Sequence, residues 1–212
     1  MLGGHRLNPA VNRLAPTSNN PIPPPTEMAH YAAMGGWHWY ANRQNIRDEG
    51  WKLHVSGDLN NGAPLFAAVL PVLRNNNIAH KFLPTPAAIS GQVGGQAGKI
   101  LAVYPDDIAQ AFQIVQMVDN VLQPLHFTRT KSPRIPNEQA VGVTVVYTRY
   151  GPYNNVVYNP STGNYDPDPI GQIMPAWIQN PWPNYPNAAG LGAFPAWPVH
   201  GRDARRRGPR GG

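Results

Sequence analysis

Cysteine is absent from the 212 residues, and charge is scarce: Asp, Glu, Lys and Arg together make up 13%, about half the usual share of a soluble globular chain. Without cysteine there is no disulfide scaffold, zinc finger, thiol nucleophile or Cys-ligated iron–sulfur cluster. No apolar run approaches the roughly 18 residues that cross a bilayer, and the N-terminus lacks the apolar stretch of a secretory leader. Acids number only 11, too few for a carboxylate dyad or a divalent-metal cage. Asp166 and Asp168 are close in sequence, but they sit in a Pro-rich stretch where such residues make turns. A G-x-S-x-G elbow is missing, as is any His pair at helix-face metal spacing. Gly94-Gly95-Gln96-Ala97-Gly98-Lys99 is no Walker loop, because no Ser or Thr follows and a strand, not a helix, comes next. Internal repeats are absent.

What the chain does hold is basic charge, proline and tryptophan, all unevenly placed. The formal charge is +6. Residues 201–212 carry Arg202, Arg205, Arg206, Arg207 and Arg210 against Asp203, a net +4, so the preceding 200 residues are nearly neutral. A Gly-flanked Arg run reads as a solvated end that attracts polyanions weakly. Dedicated nucleic-acid binding would want basic residues interleaved with stacking aromatics on a folded surface, so nucleic acid is not an expected partner beyond this tail. Of 25 prolines, 8 fall in residues 51–150 and 17 outside them. These shifts predict a disordered Pro-rich leader over 1–28 and a folded domain over 29–185, with its core at 49–155 and an extended wrap at 156–185. A flexible Gly/Pro/Arg-rich tail over 186–212 would follow. Five of the six tryptophans lie outside the proline-poor core segment, so the flanks are expected to pack on the domain.

Within the core, Trp51-Lys52-Leu53-His54-Val55-Ser56 alternates strictly, which predicts a strand with Trp51, Leu53 and Val55 inward and Lys52, His54 and Ser56 on the other face. A helix is predicted over Ala63–Arg74, with Pro71 kinking it or ending its first half. Short strands are expected at 78–83 and 99–104. Pro105-Asp106-Asp107 opens the best helix, with Ile108, Ala111, Phe112, Val115, Val118 and Leu122 at helical spacing. A β-branched strand at Val141–Thr148 closes the core. This order predicts an α+β fold, a small mixed or antiparallel sheet with packed helices.

Lys52 and His54 would project in parallel from one strand face, roughly 6–7 Å apart. A fixed cation beside a titratable donor suits an anionic ligand; two solvated residues on an edge strand would show the same pattern. Arg149, between Tyr147 and Tyr150 at a strand end, suits a phosphate fork or stacking on an aromatic ring.

The series Gly50-Trp51-Lys52-Leu53-His54-Val55-Ser56, then His80-Lys81-Phe82, then Gly98-Lys99 with Val103-Tyr104-Pro105, then Tyr147-Thr148-Arg149-Tyr150-Gly151 resembles a known family in order and spacing. It is similar to the N-terminal phosphoserine/phosphothreonine lyase domain of class III and IV lanthipeptide synthetases, related in turn to the phosphothreonine lyases that act as type III effectors. The resemblance spans about residues 49–185 and implies a phosphothreonine-lyase-like fold.

It also implies a β-elimination without cofactor or metal, on a phosphorylated peptide or protein. Lys81 resembles the base that removes the α-proton, His54 the acid for the departing oxygen, and Lys52 a cation on the phosphate or on the enolate-like charge. Arg149, Tyr104 and Lys99 would line the phosphate end. Clustered Lys52, Lys81 and Arg149 would also make Lys81 a better base by mutual repulsion. The family's arginine ahead of the "GK…VYP" strand has no counterpart in the loop Ser90–Gly98; Arg129, Lys131 and Arg134 are the cations available to replace it. No kinase or cyclase sequence follows, so a separate Ser/Thr kinase would supply the substrate. A phosphopeptide-binding module built on the same residues is the alternative to an enzyme. With no membrane segment or secretory signal, a cytoplasmic protein is expected, or an effector delivered to a host cell by another route.

Overall fold

The alternating run at Trp51–Ser56 forms most of strand β3 (Glu49–Ser56), the spine on which the sheet is assembled. The computed structural model describes residues 17–40, 49–152, 156–159, 164–167 and 180–185. β5 (Lys99–Val103) pairs with one edge of β3 and β7 (Val146–Pro152) with the other. Beyond β5 lie β4 (His80–Phe82) and then the hairpin of β2 (Trp37–Tyr40) and β1 (Tyr31–Met34); beyond β7 lies β6 (Gln139–Val141). The result is a seven-stranded sheet, order β1-β2-β4-β5-β3-β7-β6, antiparallel at every step. A separate two-stranded ladder joins β8 (Val156–Asn159) to β9 (Asn164–Pro167), which places Asp166 in a strand and not in the expected turn.

Two long helices cover one face of this sheet. α2 (Gly62–Asn75) buries Leu65, Phe66, Val69, Leu70 and Leu73, and α4 (Ile108–Leu122) buries the stripe expected from its spacing. Asp107 caps α4, its side chain accepting from the Gln110 N–H at 2.8 Å. Phe66 meets Phe82 with ring centroids 5.1 Å apart, so α2 rests on the face that carries Phe82, Leu53 and Val103. Each such buried Leu, Val or Phe contributes about 1.5–3 kcal/mol relative to exposure. Pro71 neither ends nor divides α2: apolar residues on both sides of it are buried against the core, and that packing outweighs one missing N–H bond.

Four further expectations change. The strand expected at Val141–Thr148 is a hairpin, β6 turning into β7 through residues 142–145, because Gly142 takes the left-handed conformation (φ 64°). The polar side of β3 is not solvated: Lys52, His54 and Ser56 are all buried. Part of the loop expected at Ser90–Gly98 is a 3-10 turn (Gly94–Gln96) after the short helix α3 (Pro86–Ser90). Within the segment expected as a disordered leader, residues 17–28 are ordered on the domain. Ile22 packs on the core, its N–H donates to the Pro84 carbonyl at 2.7 Å, and Pro25–Met28 forms the helical turn α1. Of the C-terminal flank, the described residues 180–185 pack on the domain, as tryptophan content suggested: Trp182 is buried against Trp51 and Phe112. The Arg-rich end lies outside the described residues.

Candidate active site

The register decides which side chains meet on the face away from α2 and α4. Residues directly opposite in an antiparallel ladder project to the same side. One row runs across five neighbouring strands through Trp39, Lys81, Ala102, His54 and Tyr147. A second row pairs Lys52 with Arg149 on β3 and β7, two residues along from His54 and on the same face. Lys81 and His54 therefore lie in one row on either side of β5, about 10 Å apart at the backbone, with Ala102 between them. Lys52 and Arg149 stand beside His54, whereas Lys81 is set apart from β3 by one strand, β5, so the expected cluster of Lys52, Lys81 and Arg149 is divided.

Tyr104 follows β5 directly, its N–H donating to the Ala79 carbonyl at 2.9 Å. Its ring stacks on Trp39, centroids 5.5 Å apart and 15° from parallel. Lys81 Nζ lies over Trp39 at 4.3 Å, over Trp37 at 4.6 Å and over Tyr104 at 5.7 Å. Tyr104 thus belongs to the surroundings of Lys81.

Glu138 holds the other half together, and the sequence pattern did not reveal it. Its side chain is fully enclosed. Oε2 accepts from His54 Nδ1 at 2.8 Å, Oε1 pairs with Lys99 Nζ at 2.8 Å, and Arg149 Nε lies 3.7 Å from Oε1. Burial alone would push this carboxyl up, but His54 and Lys99 outweigh burial and hold it at about 2. Burial lowers His54 to about 4, against the opposing pull of Glu138 and with Lys99 and Lys52 adding to the fall. At neutral pH the site therefore contains an ionised Glu138 and a neutral His54. Because a carboxylate only accepts, the His54 proton sits on Nδ1, and Nε2 is the ring atom turned away from Glu138. Glu138 is legible only once Gly142 is recognised as a hairpin turn, which carries the chain two residues beyond Ala140 to a place opposite Arg149.

The loop that ends at Glu138 is tied to the sheet by Ser56 Oγ, which donates to the Pro133 carbonyl, and by the Asn61–Ser132 bond at 3.0 Å. The cations considered as substitutes for the missing family arginine do not reach the site. Arg129 donates to the Val141 and Gly142 carbonyls, at 3.0 and 2.5 Å, and Lys131 and Arg134 are exposed. Among the described residues no cluster of three His, Asp or Glu side chains stands together as a metal would need, and no helix is long and apolar enough to cross a membrane.

These features define an α+β domain with a buried, cation-bearing sheet face centred on a carboxylate-held histidine. The sequence matches the family described as RamC, N-terminal domain, over residues 19–187, and the chain belongs to that family. Among solved structures it is similar to the phosphothreonine lyase SpvC, the effector protein from Salmonella, at 13% identity and a TM-score of 0.40; the match covers 58% of this chain and 72% of that one. No curated protein matches the sequence.

Proposed function

We propose that the chain is a cofactor-independent lyase that removes phosphate by β-elimination from phosphoserine or phosphothreonine in a peptide or protein, leaving dehydroalanine or dehydrobutyrine. The observation that carries this is the direct pairing of Lys52 with Arg149 on the sheet face that also holds His54 and Lys81. Two fixed cations side by side on one sheet face, next to a histidine, suit a phosphate monoester, which carries about −1.5 to −2 near pH 7. Membership of the RamC N-terminal-domain family and the motif series around these residues support the same chemistry.

In this assignment the phosphate rests on Lys52 and Arg149, with Lys99 acting from behind through Glu138. Lys81 Nζ, as the amine, takes the α-proton. The C–H electrons become the new Cα=Cβ bond while the Cβ–O bond breaks toward phosphate. His54, neutral at rest, gains a proton on Nε2 when the phosphate brings its negative charge, and delivers it to the departing oxygen. The enolate-like charge that builds at the amide is stabilised by the fixed cations, which need no reorientation during the step. The catalytic unit would take in the segment at 17–28 that packs on the domain as well as residues 29–185.

Incubation with phosphothreonine and phosphoserine peptides, followed by mass spectrometry, tests the assignment. Loss of phosphoric acid by the wild-type protein, abolished in Lys81→Ala, is expected. Binding without mass loss would replace the lyase with a phosphopeptide-binding module, and elimination that survives Lys81→Ala would remove Lys81 as the base.

A further inference from the structure

The surroundings of Lys81 go beyond anything the motif series implied. Trp37 and Trp39 are alternate residues of β2, so both rings project from the same strand face, and Tyr104 closes the third side. Three aromatic rings lie within 6 Å of one ammonium position, two of them indoles, the side chains with the strongest attraction for a cation. On the opposite face β2 and β1 are fastened down. Tyr31 Oη lies 2.9 Å from His80 Nε2, His80 Nδ1 donates to the Ile78 carbonyl at 2.7 Å, and Tyr40 stacks on the His80 ring. The residue beside Lys81 in sequence is therefore the anchor for the hairpin that carries the cage.

We propose that Trp37 and Trp39 are positioning residues for Lys81. Their ring faces hold Nζ in one place above β4, beside Tyr104. A lysine side chain has four rotatable bonds, and holding its end in one place raises the fraction of encounters in which the amine can attack. This role rests on Lys81 being the base of the proposed elimination.

The test compares Trp37→Leu and Trp39→Leu with Trp37→Phe and Trp39→Phe. The leucine variants are expected to lose about tenfold in kcat, the kinetic equivalent of one desolvated cation–π contact, with KM for a phosphothreonine peptide changed less than twofold. The phenylalanine variants, which keep a ring face, are expected to recover most of the loss. Equal effects of Leu and Phe, or a loss confined to KM, would overturn the inference. A second measurement needs no turnover and no change in fold stability: acylation of Lys81 by acetic anhydride, read by mass spectrometry on peptides. It is expected to be faster in the leucine variants than in wild type or the phenylalanine variants. Equal rates in all five proteins would overturn the cage. Wild-type protein that eliminates nothing would overturn the lyase assignment instead, and the acylation rates would still decide whether the cage holds Lys81.

Discussion

His54 Nδ1 and Glu138 Oε2 stand 2.8 Å apart, although 84 residues separate them in sequence and both side chains are withdrawn from water. The contact does two things. It selects the tautomer of His54, and it places a negative charge where Lys99 and Arg149 also converge. Three predictions follow from this arrangement and from the turn that delivers Glu138.

Glu138→Gln keeps the shape and an acceptor for His54 but removes the charge. Lys99 is then left buried without its carboxylate. Breaking a buried pair from one side costs about 3–5 kcal/mol, so a large drop in the urea midpoint is expected. Elimination is expected to slow by about 10- to 100-fold, because a histidine without its anionic partner is a poorer proton carrier. Unchanged stability and rate in this variant would show that Glu138 only fills space.

Acidification should destabilise the fold in two stages. His54 and His80 are each lowered from 6.5 to about 4 by burial. For such groups the unfolded chain binds the proton first, so stability falls as pH drops from 6.5 toward 4. Glu138 is lowered from 4.5 to about 2, so its contribution is present above 4.5 and is lost as pH falls toward 2. Urea unfolding at pH 7.5, 5.5 and 4 measures the first stage. His80→Gln should flatten the change in the pH 6.5–4 window. A midpoint that stays constant or rises below pH 6.5 would contradict the burial of neutral imidazoles.

Asp119 and Gly142 set the turn between β6 and β7. Asp119 accepts from the Val143 N–H at 2.8 Å, the Thr144 N–H at 3.0 Å and the Thr144 hydroxyl at 2.5 Å. A Cβ at Gly142 would run into the Asp119 carboxylate and Val115, at a backbone φ of 64° that favours glycine. Gly142→Ala is expected to cost about 2–4 kcal/mol from strain and overpacking. Asp119→Ala is expected to cost about 2–3 kcal/mol from donors left without an acceptor. Each should lower the melting temperature by about 5–10 °C in a chain of this size. Melting temperatures within a degree of wild type would mean that the hairpin is held by other contacts.

Much of the fold was legible because it rests on periodicity. The alternation at Trp51–Ser56 specifies a strand and the helical stripe from Ile108 to Leu122 a buried face, and the structure adopts both elements, although both faces of β3 are buried. The α+β class with packed helices on a small mixed or antiparallel sheet followed from the order of these elements; that the sheet is antiparallel throughout came from the structure. What escaped was set by turns and by long-range pairing. Gly35-Gly36 is a two-residue hairpin loop with both residues at positive φ, a pattern typical of tight hairpins, yet the short strands beside it were hidden in a segment without a core pattern. Gly142 hid the second hairpin in the same way, because the β-branched run continues through it. Glu138 and the two cage tryptophans are reached only through those hairpins. No local pattern announces a carboxylate that meets a histidine 84 positions away. Lys52, Lys81 and Arg149 were expected in one cluster; Lys52 pairs with Arg149, whereas β5 stands between Lys81 and β3, which strand order alone reveals.

The central place of β3 also has a consequence for synthesis. β3 emerges from the ribosome early, but one of its neighbours, β7, is made almost a hundred residues later, when Arg149 reaches the position opposite Lys52. Until then one edge of β3 has no strand from this sheet, and Lys52 and His54 lack both the arginine and Glu138. Closing so long a loop is slow compared with pairing neighbours in sequence. A nascent chain halted before residue 138 would hold Lys81, its aromatic neighbours and the two helices, and could not assemble the histidine–carboxylate half of the site.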